Sequence, residues 1–146
     1  MAPINIGIVG FGTVGSGTFN VLTNNREEIA RRVGRELVVS HIGARRDNPT
    51  VDTSEHKVSR DVWDVVNDPN VDIVVELIGG YDAAKELVLA AIANGKHVVT
   101  ANKALIAVHG NEIFDAAEKA GVVVAYEAGV AGGIPVIKSV RDGLAA

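Results

Sequence analysis

The sequence predicts an α/β domain built on a doubly wound parallel sheet. Short apolar segments alternate with amphipathic helical segments along all 146 residues, and a glycine-rich turn joins the first pair. Hydrophobic residues make up 47% of the chain but aromatic residues only 4%, so aliphatic side chains must fill the core. Parallel strands covered by helices on both faces favour this composition. We expect one domain over residues 1–146 with the strand order 3-2-1-4-5-6.

The first half of the chain begins with an apolar run at residues 4–9, which predicts a strand. Helical spacing of apolar residues over 14–32 predicts the helix that follows it. Residues 36–42 form a second predicted strand, after which the chain turns at a polar stretch containing Pro49. Ser59 is a candidate cap for a helix that runs through residue 67.

The second half continues the alternation. Strands are predicted at residues 71–78, 97–100 and 122–126, and helices at 83–94 and 110–120. Asp82 is a candidate helix cap, and Gly95 and Gly121 suit left-handed helix ends. Pro135 suits the first turn of a final helix over residues 134–146, which we expect to lead into a substrate domain that the chain lacks.

Composition excludes several classes of function. A net charge of −4 without a long basic run argues against nucleic acid as a partner. The absence of cysteine excludes disulfides and thiolate metal sites. No apolar run approaches the ~18 residues that span a bilayer, and the N-terminus has no secretory signal pattern, so we expect a cytoplasmic protein without a membrane partner.

The turn after the first strand has the pattern G-x-G-x-x-G. In this position the pattern is typical of a Rossmann-type dinucleotide-binding domain, in which helix N–H groups receive the pyrophosphate. The first glycine allows the tight turn, the second lets the phosphates approach, and the third lets helix and strand pack. A tight turn without a ligand is the alternative. The residues predicted to contact the cofactor here are Gly10, Phe11, Gly12, Thr13, Val14 and Gly15.

The end of the second predicted strand indicates which dinucleotide binds. NAD-binding domains usually place an acidic residue there for the ribose hydroxyls, whereas this chain has Arg45 and Arg46. Guanidinium groups suit the 2′-phosphate of NADP(H), so we predict that NADP(H) is preferred. Two solvated loop arginines are the alternative, and Asp47 keeps NAD(H) binding open.

Three further segments follow predicted strands and share one edge of the sheet. Ligands of open parallel sheets bind beyond the carboxyl ends of the strands. Glycines there allow close approach to nicotinamide, and polar side chains can bind its ribose or amide. The predicted contacts are Ile78, Gly79, Gly80, Thr100, Asn102 and Lys103, followed by the segment 127–133. Glu76 interrupts a buried strand, so we predict a structural partner for it.

Four blocks carry a resemblance to a known family, at residues 7–16, 75–80, 100–105 and 126–135. The block A-N-K-A-L and the later block E-A-G-V-A-G-G-I-P are the specific ones, because the glycine turn is shared by many dehydrogenases. Over essentially its whole length the chain resembles the cofactor domain of homoserine dehydrogenases.

This resemblance implies hydride transfer to aspartate 4-semialdehyde, in the biosynthesis of threonine and methionine, with Lys103 as the catalytic general acid. Without it, Lys103 would be interpreted as a solvated surface lysine. The resemblance also implies a sodium ion bound by Glu127 and by the carbonyls of Val130, Gly132 and Ile134. Alternatively, Glu127 accepts hydrogen bonds from the final helix.

The family's substrate contacts, second catalytic lysine and dimer interface have no counterpart in this sequence. We therefore expect the chain to be inactive alone, to meet its small-molecule substrate only with the missing domain, and to belong to a homo-oligomer when complete. Two alternatives remain at this point. One is a non-catalytic dinucleotide sensor or assembly module, and the other is the cofactor domain of a different amino-acid dehydrogenase.

Overall fold

A six-stranded parallel sheet forms the centre of the molecule in a computed structural model, which describes residues 2–126. The strand order is β3-β2-β1-β4-β5-β6, which confirms the predicted order. The strands are β1 (Ile4–Val9), β2 (Leu37–Gly43), β3 (Lys57–Ser59), β4 (Ile73–Glu76), β5 (His97–Thr100) and β6 (Val124–Tyr126). The helices are α1 (Thr13–Asn24), α2 (Arg26–Val33), α3 (Trp63–Val66), α4 (Asp82–Ala93) and α5 (Lys103–Ala120).

Two hydrophobic clusters lie on opposite faces of the sheet. Val75 belongs to the cluster that includes Phe19 of α1, whereas its neighbour Val74 belongs to the cluster that includes Leu87 of α4 and Leu105 of α5. Successive side chains of a strand point to opposite faces, so an unbroken apolar strand requires helices on both sides. The doubly wound architecture predicted from the sequence is therefore confirmed.

Strand β3 is the element that the sequence pattern did not locate. It has only three residues, pairs in parallel with the end of β2, and includes Ser59, which was predicted to cap a helix. That prediction is wrong, because the Ser59 hydroxyl lies 2.7 Å from Nε2 of His41. Helix α3 begins later, where Oδ1 of Asp61 accepts a hydrogen bond of 3.0 Å from the N–H of Trp63.

The helix predicted over residues 14–32 is two helices, separated at Asn25. The side chains of Thr23 and Asn25 donate to the carbonyls of Phe19 and Val21, at 2.8 and 3.1 Å. Such bonds compete with the continuing helical ladder, which explains the break. Asp82 was also predicted wrongly, since it is the first residue of α4 and no side chain caps that helix.

Helix α5 begins well before the predicted residue 110. Asn102 is its N-cap, and Gly121 follows its last turn in a left-handed conformation with φ 72°. Gly95 ends α4 with φ 76°, as predicted. Other strand boundaries differ from prediction by one or two residues. Within residues 2–126, no helix has both the length and the apolar character that crossing a bilayer requires.

Candidate cofactor-binding site

Three glycines shape the turn between β1 and α1. Gly10 has φ +95°, and a Cβ there would lie 2.8 Å from the carbonyl oxygen of Leu77. A Cβ at Gly15 would lie 2.2 Å from the carbonyl oxygen of Gly10, whereas one at Gly12 would meet no atom within 4 Å. Packing therefore requires glycine at the first and third positions, and the second faces open space.

The start of α1 has no protein cap among the described residues. Gly12 stands at the N-cap position without a side-chain hydrogen bond, and the first turn contains no acidic residue. The first N–H groups of a helix lack partners within it and carry the positive end of its dipole. An anionic group placed at this turn can satisfy both, so the turn fits a dinucleotide pyrophosphate.

The glycine turn opens into a cavity of about 700 Å³ at the carboxyl ends of β1, β2 and β4. Its lining consists of Gly10, Phe11, Gly12, Gly43, Ala44, Arg45, Arg46, Asp47, Asn48, Pro49, Val62, Trp63, Leu77, Ile78, Gly79, Ala83 and Leu87. Predicted cofactor contacts from three separate segments thus meet around one space. The predicted contacts that do not line it are Thr13, Val14, Gly15, Gly80, Thr100, Asn102 and Lys103.

Arg45 and Arg46 lie at the rim of this cavity with exposed side chains. Within residues 2–126, neither guanidinium has an ion pair with a carboxylate. The neighbouring Asp47 does have one, with Nη2 of Arg60, whose Nη1 also donates to the carbonyl of Ala44 at 3.2 Å. Two unpaired cations and one paired carboxylate leave this rim with positive character, which suits a phosphate.

Glu76, the last residue of β4, is at the centre of a buried chain of hydrogen bonds. Its Oε1 accepts the N–H of Ile78 at 2.9 Å, and its Oε2 accepts the hydroxyl of Thr100 at 2.6 Å. The same hydroxyl accepts the N–H of Asn102 at 3.0 Å. Burial raises the pKa of Glu76, although these hydrogen bonds oppose the increase. Glu76 therefore has structural partners, as predicted.

The Asn102 side chain connects the start of α5 with the loop that contains Gly80. Its Oδ1 accepts the N–H of Leu105 at 3.0 Å, and its Nδ2 donates to the carbonyl of Gly80. Thr100 is fully buried and its hydroxyl is engaged by Glu76. The hydroxyl of Thr100 and the side-chain amide of Asn102 thus make hydrogen bonds within the protein that hold the neighbouring loops, and their contacts with nicotinamide stay a prediction.

Lys103 is the first residue of α5 and its side chain is exposed. No hydrogen bond or ion pair to its ammonium group occurs within the described part of the chain. A cation in the first turn of a helix is opposed by the helix dipole, so this placement does not stabilise α5. The Lys103 side chain is therefore exposed and has no partner among residues 2–126.

Comparison with known proteins identifies the family of this fold and site. Residues 10–127 match the family described as homoserine dehydrogenase, NAD binding domain. The chain belongs to the homoserine dehydrogenase NAD-binding domain family. The match covers the glycine turn, both rim arginines and Lys103, so a nicotinamide cofactor is the ligand expected for this site.

Individual relatives agree with this assignment. The homoserine dehydrogenase of Pseudomonas aeruginosa is 64% identical over 146 residues, which cover 100% of this chain and 34% of that protein. That of Neisseria gonorrhoeae is 52% identical, again over 100% of this chain and 34% of the relative. The crystal structure of the Thiobacillus denitrificans homoserine dehydrogenase has a TM-score of 0.80 and 55% identity, covering 99% of this chain and 34% of that one. The chain therefore spans about a third of these homoserine dehydrogenases.

The structure adds site residues that the sequence analysis missed. Trp63 is 38% exposed and lines the cavity together with residues of the glycine turn, and it is the only tryptophan of the chain. The sequence pattern did not single it out, because it lies far along the chain from the glycine turn and only the fold brings the two together. The predicted sodium ligands Glu127, Val130, Gly132 and Ile134 lie outside the described residues, as do the segment 127–133 and the final helix over 134–146.

Proposed function

We propose that this chain is the NADP(H)-binding part of a homoserine dehydrogenase. The observation that carries the proposal is the shared cavity, into which the uncapped glycine turn and the two unpaired arginines both open. A pyrophosphate at the turn and a 2′-phosphate at the arginines are two anionic parts of the same cofactor. Thr13, Val14 and Gly15 supply the helix N–H groups for the first of these.

NADP(H) is favoured over NAD(H) by the charges at the rim. Arg45 and Arg46 can donate to a phosphate in paired, charge-assisted bonds. Asp47, the only carboxylate among the described residues that line the cavity, is engaged by Arg60 and so competes poorly for ribose hydroxyls. NAD(H) remains a weaker ligand in this proposal, held by the pyrophosphate contacts alone.

In the complete enzyme the substrate is aspartate 4-semialdehyde and the product is homoserine. The nicotinamide, when bound, supplies the hydride. Lys103 stabilises the negative charge that develops on the carbonyl oxygen and delivers a proton to it from its ammonium group. Asn102 and Thr100 fix the start of α5, so they set the position from which Lys103 acts.

The proposal assigns a sodium ion to Glu127 and to the carbonyls of Val130, Gly132 and Ile134, because a hard cation prefers oxygen donors. It assigns substrate contacts and the subunit interface of a homo-oligomer to the remaining two thirds of the relatives' length. We therefore expect the 146-residue chain to bind cofactor without reducing the aldehyde.

Titration calorimetry with NADPH and NADH tests the binding proposal. We expect tighter binding of NADPH, and a loss of about tenfold or more in NADPH affinity in the double variant Arg45→Ala/Arg46→Ala, because charge-assisted bonds are removed. NADH affinity should change little. Arg31 and Arg32, an exposed pair on α2, provide the matched control Arg31→Ala/Arg32→Ala. Equal affinities of the unaltered chain for both cofactors would contradict the NADP(H) preference.

The role of Lys103 is tested in a chimera in which this chain replaces the corresponding third of the Pseudomonas aeruginosa enzyme. We expect Lys103→Ala to lower kcat by a factor on the order of 100 to 10,000, the usual contribution of a general acid. The affinity for NADPH should fall far less than kcat does, because the phosphate contacts of the cofactor remain. Near-normal turnover of the variant would remove Lys103 from the mechanism.

A further inference from the structure

Strand β3 places Arg60 beside the loop that carries Arg45 and Arg46 at the rim of the cavity. Ser59, the last residue of β3, accepts the N–H of Ala44 on its carbonyl at 2.9 Å. Its hydroxyl lies 2.7 Å from Nε2 of His41, whose Nδ1 lies 2.8 Å from Oδ2 of Asp68. His41 is fully buried, so this chain of contacts fixes the end of β3 against β2. The next residue is Arg60.

The guanidinium of Arg60 binds the rim loop at two points. Nη1 donates to the carbonyl of Ala44, and Nη2 donates to Oδ1 of Asp47. Both partners line the cavity, as do Arg45 and Arg46 between them, whereas Arg60 itself does not. Arg60 therefore contacts the loop from outside the cavity and engages Asp47, the one carboxylate of the lining within residues 2–126.

We propose that Arg60 determines cofactor specificity as a positioning residue, by holding Asp47 in an ion pair that keeps this carboxylate from the ribose. The proposal rests on the proposed function. A free carboxylate at the end of β2 accepts hydrogen bonds from the ribose hydroxyls of NAD(H) and repels a 2′-phosphate. The pairing of Asp47 with Arg60 weakens both the hydrogen bonds to the ribose and the repulsion of the 2′-phosphate. The loop that carries Asp47 therefore favours NADP(H) over NAD(H).

A direct attraction between Arg60 and the 2′-phosphate is the alternative to this proposal. It predicts a different effect of Arg60 on cofactor preference once the Asp47 carboxylate is removed. If Arg60 acts through Asp47, removing the carboxylate must abolish the effect of removing the guanidinium. If Arg60 acts on the phosphate itself, the effect must persist without Asp47. A double-mutant cycle separates the two, because it measures the coupling between the residues.

The experiment is calorimetric titration of the full 146-residue chain with NADPH and with NADH. The proteins are the unaltered chain, Arg60→Gln, Asp47→Asn, the double variant and Arg60→Lys. The control is Arg32→Gln, which breaks a comparable exposed pair with Glu28 on α2. The Asp47 side chain is 86% exposed, so solvent screening limits the effect. We expect Arg60→Gln to lower the preference for NADPH over NADH about 3- to 10-fold.

The preference of Asp47→Asn should match or exceed that of the unaltered chain, and the double variant should match Asp47→Asn. Arg60→Lys should fall between the unaltered chain and Arg60→Gln, because a lysine keeps the charge but not both contacts. An unchanged preference in Arg60→Gln, or an equal loss in the Asp47→Asn background, would overturn the inference. Failure of the unaltered chain to prefer NADPH would overturn the proposed function, so the two failures are distinct. Urea unfolding verifies that each variant is folded.

Discussion

At the residue scale, the glycines of the β1–α1 turn have two separate physical roles. Gly10 and Gly15 are required by the protein, since any side chain there would collide with a backbone carbonyl. A Cβ at Gly12 would meet no atom of the described residues within 4 Å, so their packing does not require glycine there. A requirement for glycine at this position arises only when a ligand approaches the backbone, which is what the proposed function supplies.

Two alanine substitutions separate these roles. Gly15→Ala should lower the free energy of unfolding by about 1–3 kcal/mol, because the added Cβ forces the turn and helix apart. Gly12→Ala should change it by less than about 1 kcal/mol and yet weaken NADPH binding about tenfold or more. Urea unfolding and calorimetry measure the two quantities. Normal NADPH binding by Gly12→Ala would contradict the proposed approach of the pyrophosphate to the Gly12 backbone.

Glu76 is the residue from which a pH dependence is expected. Burial raises its pKa in the folded chain, so the folded chain binds this proton more tightly than the unfolded chain does. The free energy of unfolding should therefore fall as pH rises from the ordinary glutamate range through the raised pKa. Glu76→Gln cannot titrate, and its stability should decline less over this range.

Urea unfolding at a series of pH values measures this difference. Glu86, an exposed glutamate on α4, provides the control Glu86→Gln, which should retain the slope of the unaltered chain. Parallel pH profiles for the unaltered chain and Glu76→Gln would show that burial of this carboxyl does not control the dependence.

At the scale of elements, the first turn of α5 combines a stabilising cap with an unfavourable charge. Asn102 caps the helix and ties it to the carbonyl of Gly80. Lys103 follows at once, where the helix dipole opposes a cation and no partner compensates for it within residues 2–126. The cap therefore stabilises a helix start whose first residue is an exposed lysine.

Substitution of Asn102 separates the cap from the loop contact. Asn102→Ala should lower the free energy of unfolding by about 1 kcal/mol, because the Leu105 N–H loses its acceptor. Asn102→Asp keeps the acceptor but cannot donate to Gly80, so stability should be largely retained while amide exchange near Gly80 accelerates. Asn111, exposed on the same helix, provides the control Asn111→Ala. Equal destabilisation by the alanine and aspartate variants would contradict the capping role.

At the scale of the whole molecule, the sequence pattern predicted those features that depend on residues close together in the chain. Apolar periodicity and the glycine turn were sufficient for the strand order and for the meeting of Gly12 with Arg45 and Arg46 at one cavity. Strand β3 escaped prediction because its three residues carry no apolar pattern and are held by pairing with β2 and by His41. Pairing partners distant in sequence leave no trace in local spacing.

The sequence also did not predict that polar side chains at the ends of β4 and β5 form hydrogen bonds with each other within the protein. Thr100 follows a strand at the predicted edge, and only the buried Glu76 on the neighbouring strand explains why its hydroxyl points away from the crevice. Arg60 was missed for the same reason, since its contact with Asp47 depends on β3. The residues proposed to bind the cofactor were found from motifs, whereas the hydrogen bonds and ion pairs around them became apparent only in the folded structure.

The N–H groups of the β1–α1 turn are proposed to bind the pyrophosphate of NADPH. Backbone amide chemical shifts of the isotope-labelled chain, followed by NMR during titration with NADPH, test this most directly. We predict that the largest shifts occur at Gly12, Thr13, Val14 and Gly15, with a second set at Arg45 and Arg46. Shifts confined to the opposite edge of the sheet, near Lys96 and His97, or no shifts at saturating NADPH, would contradict the account.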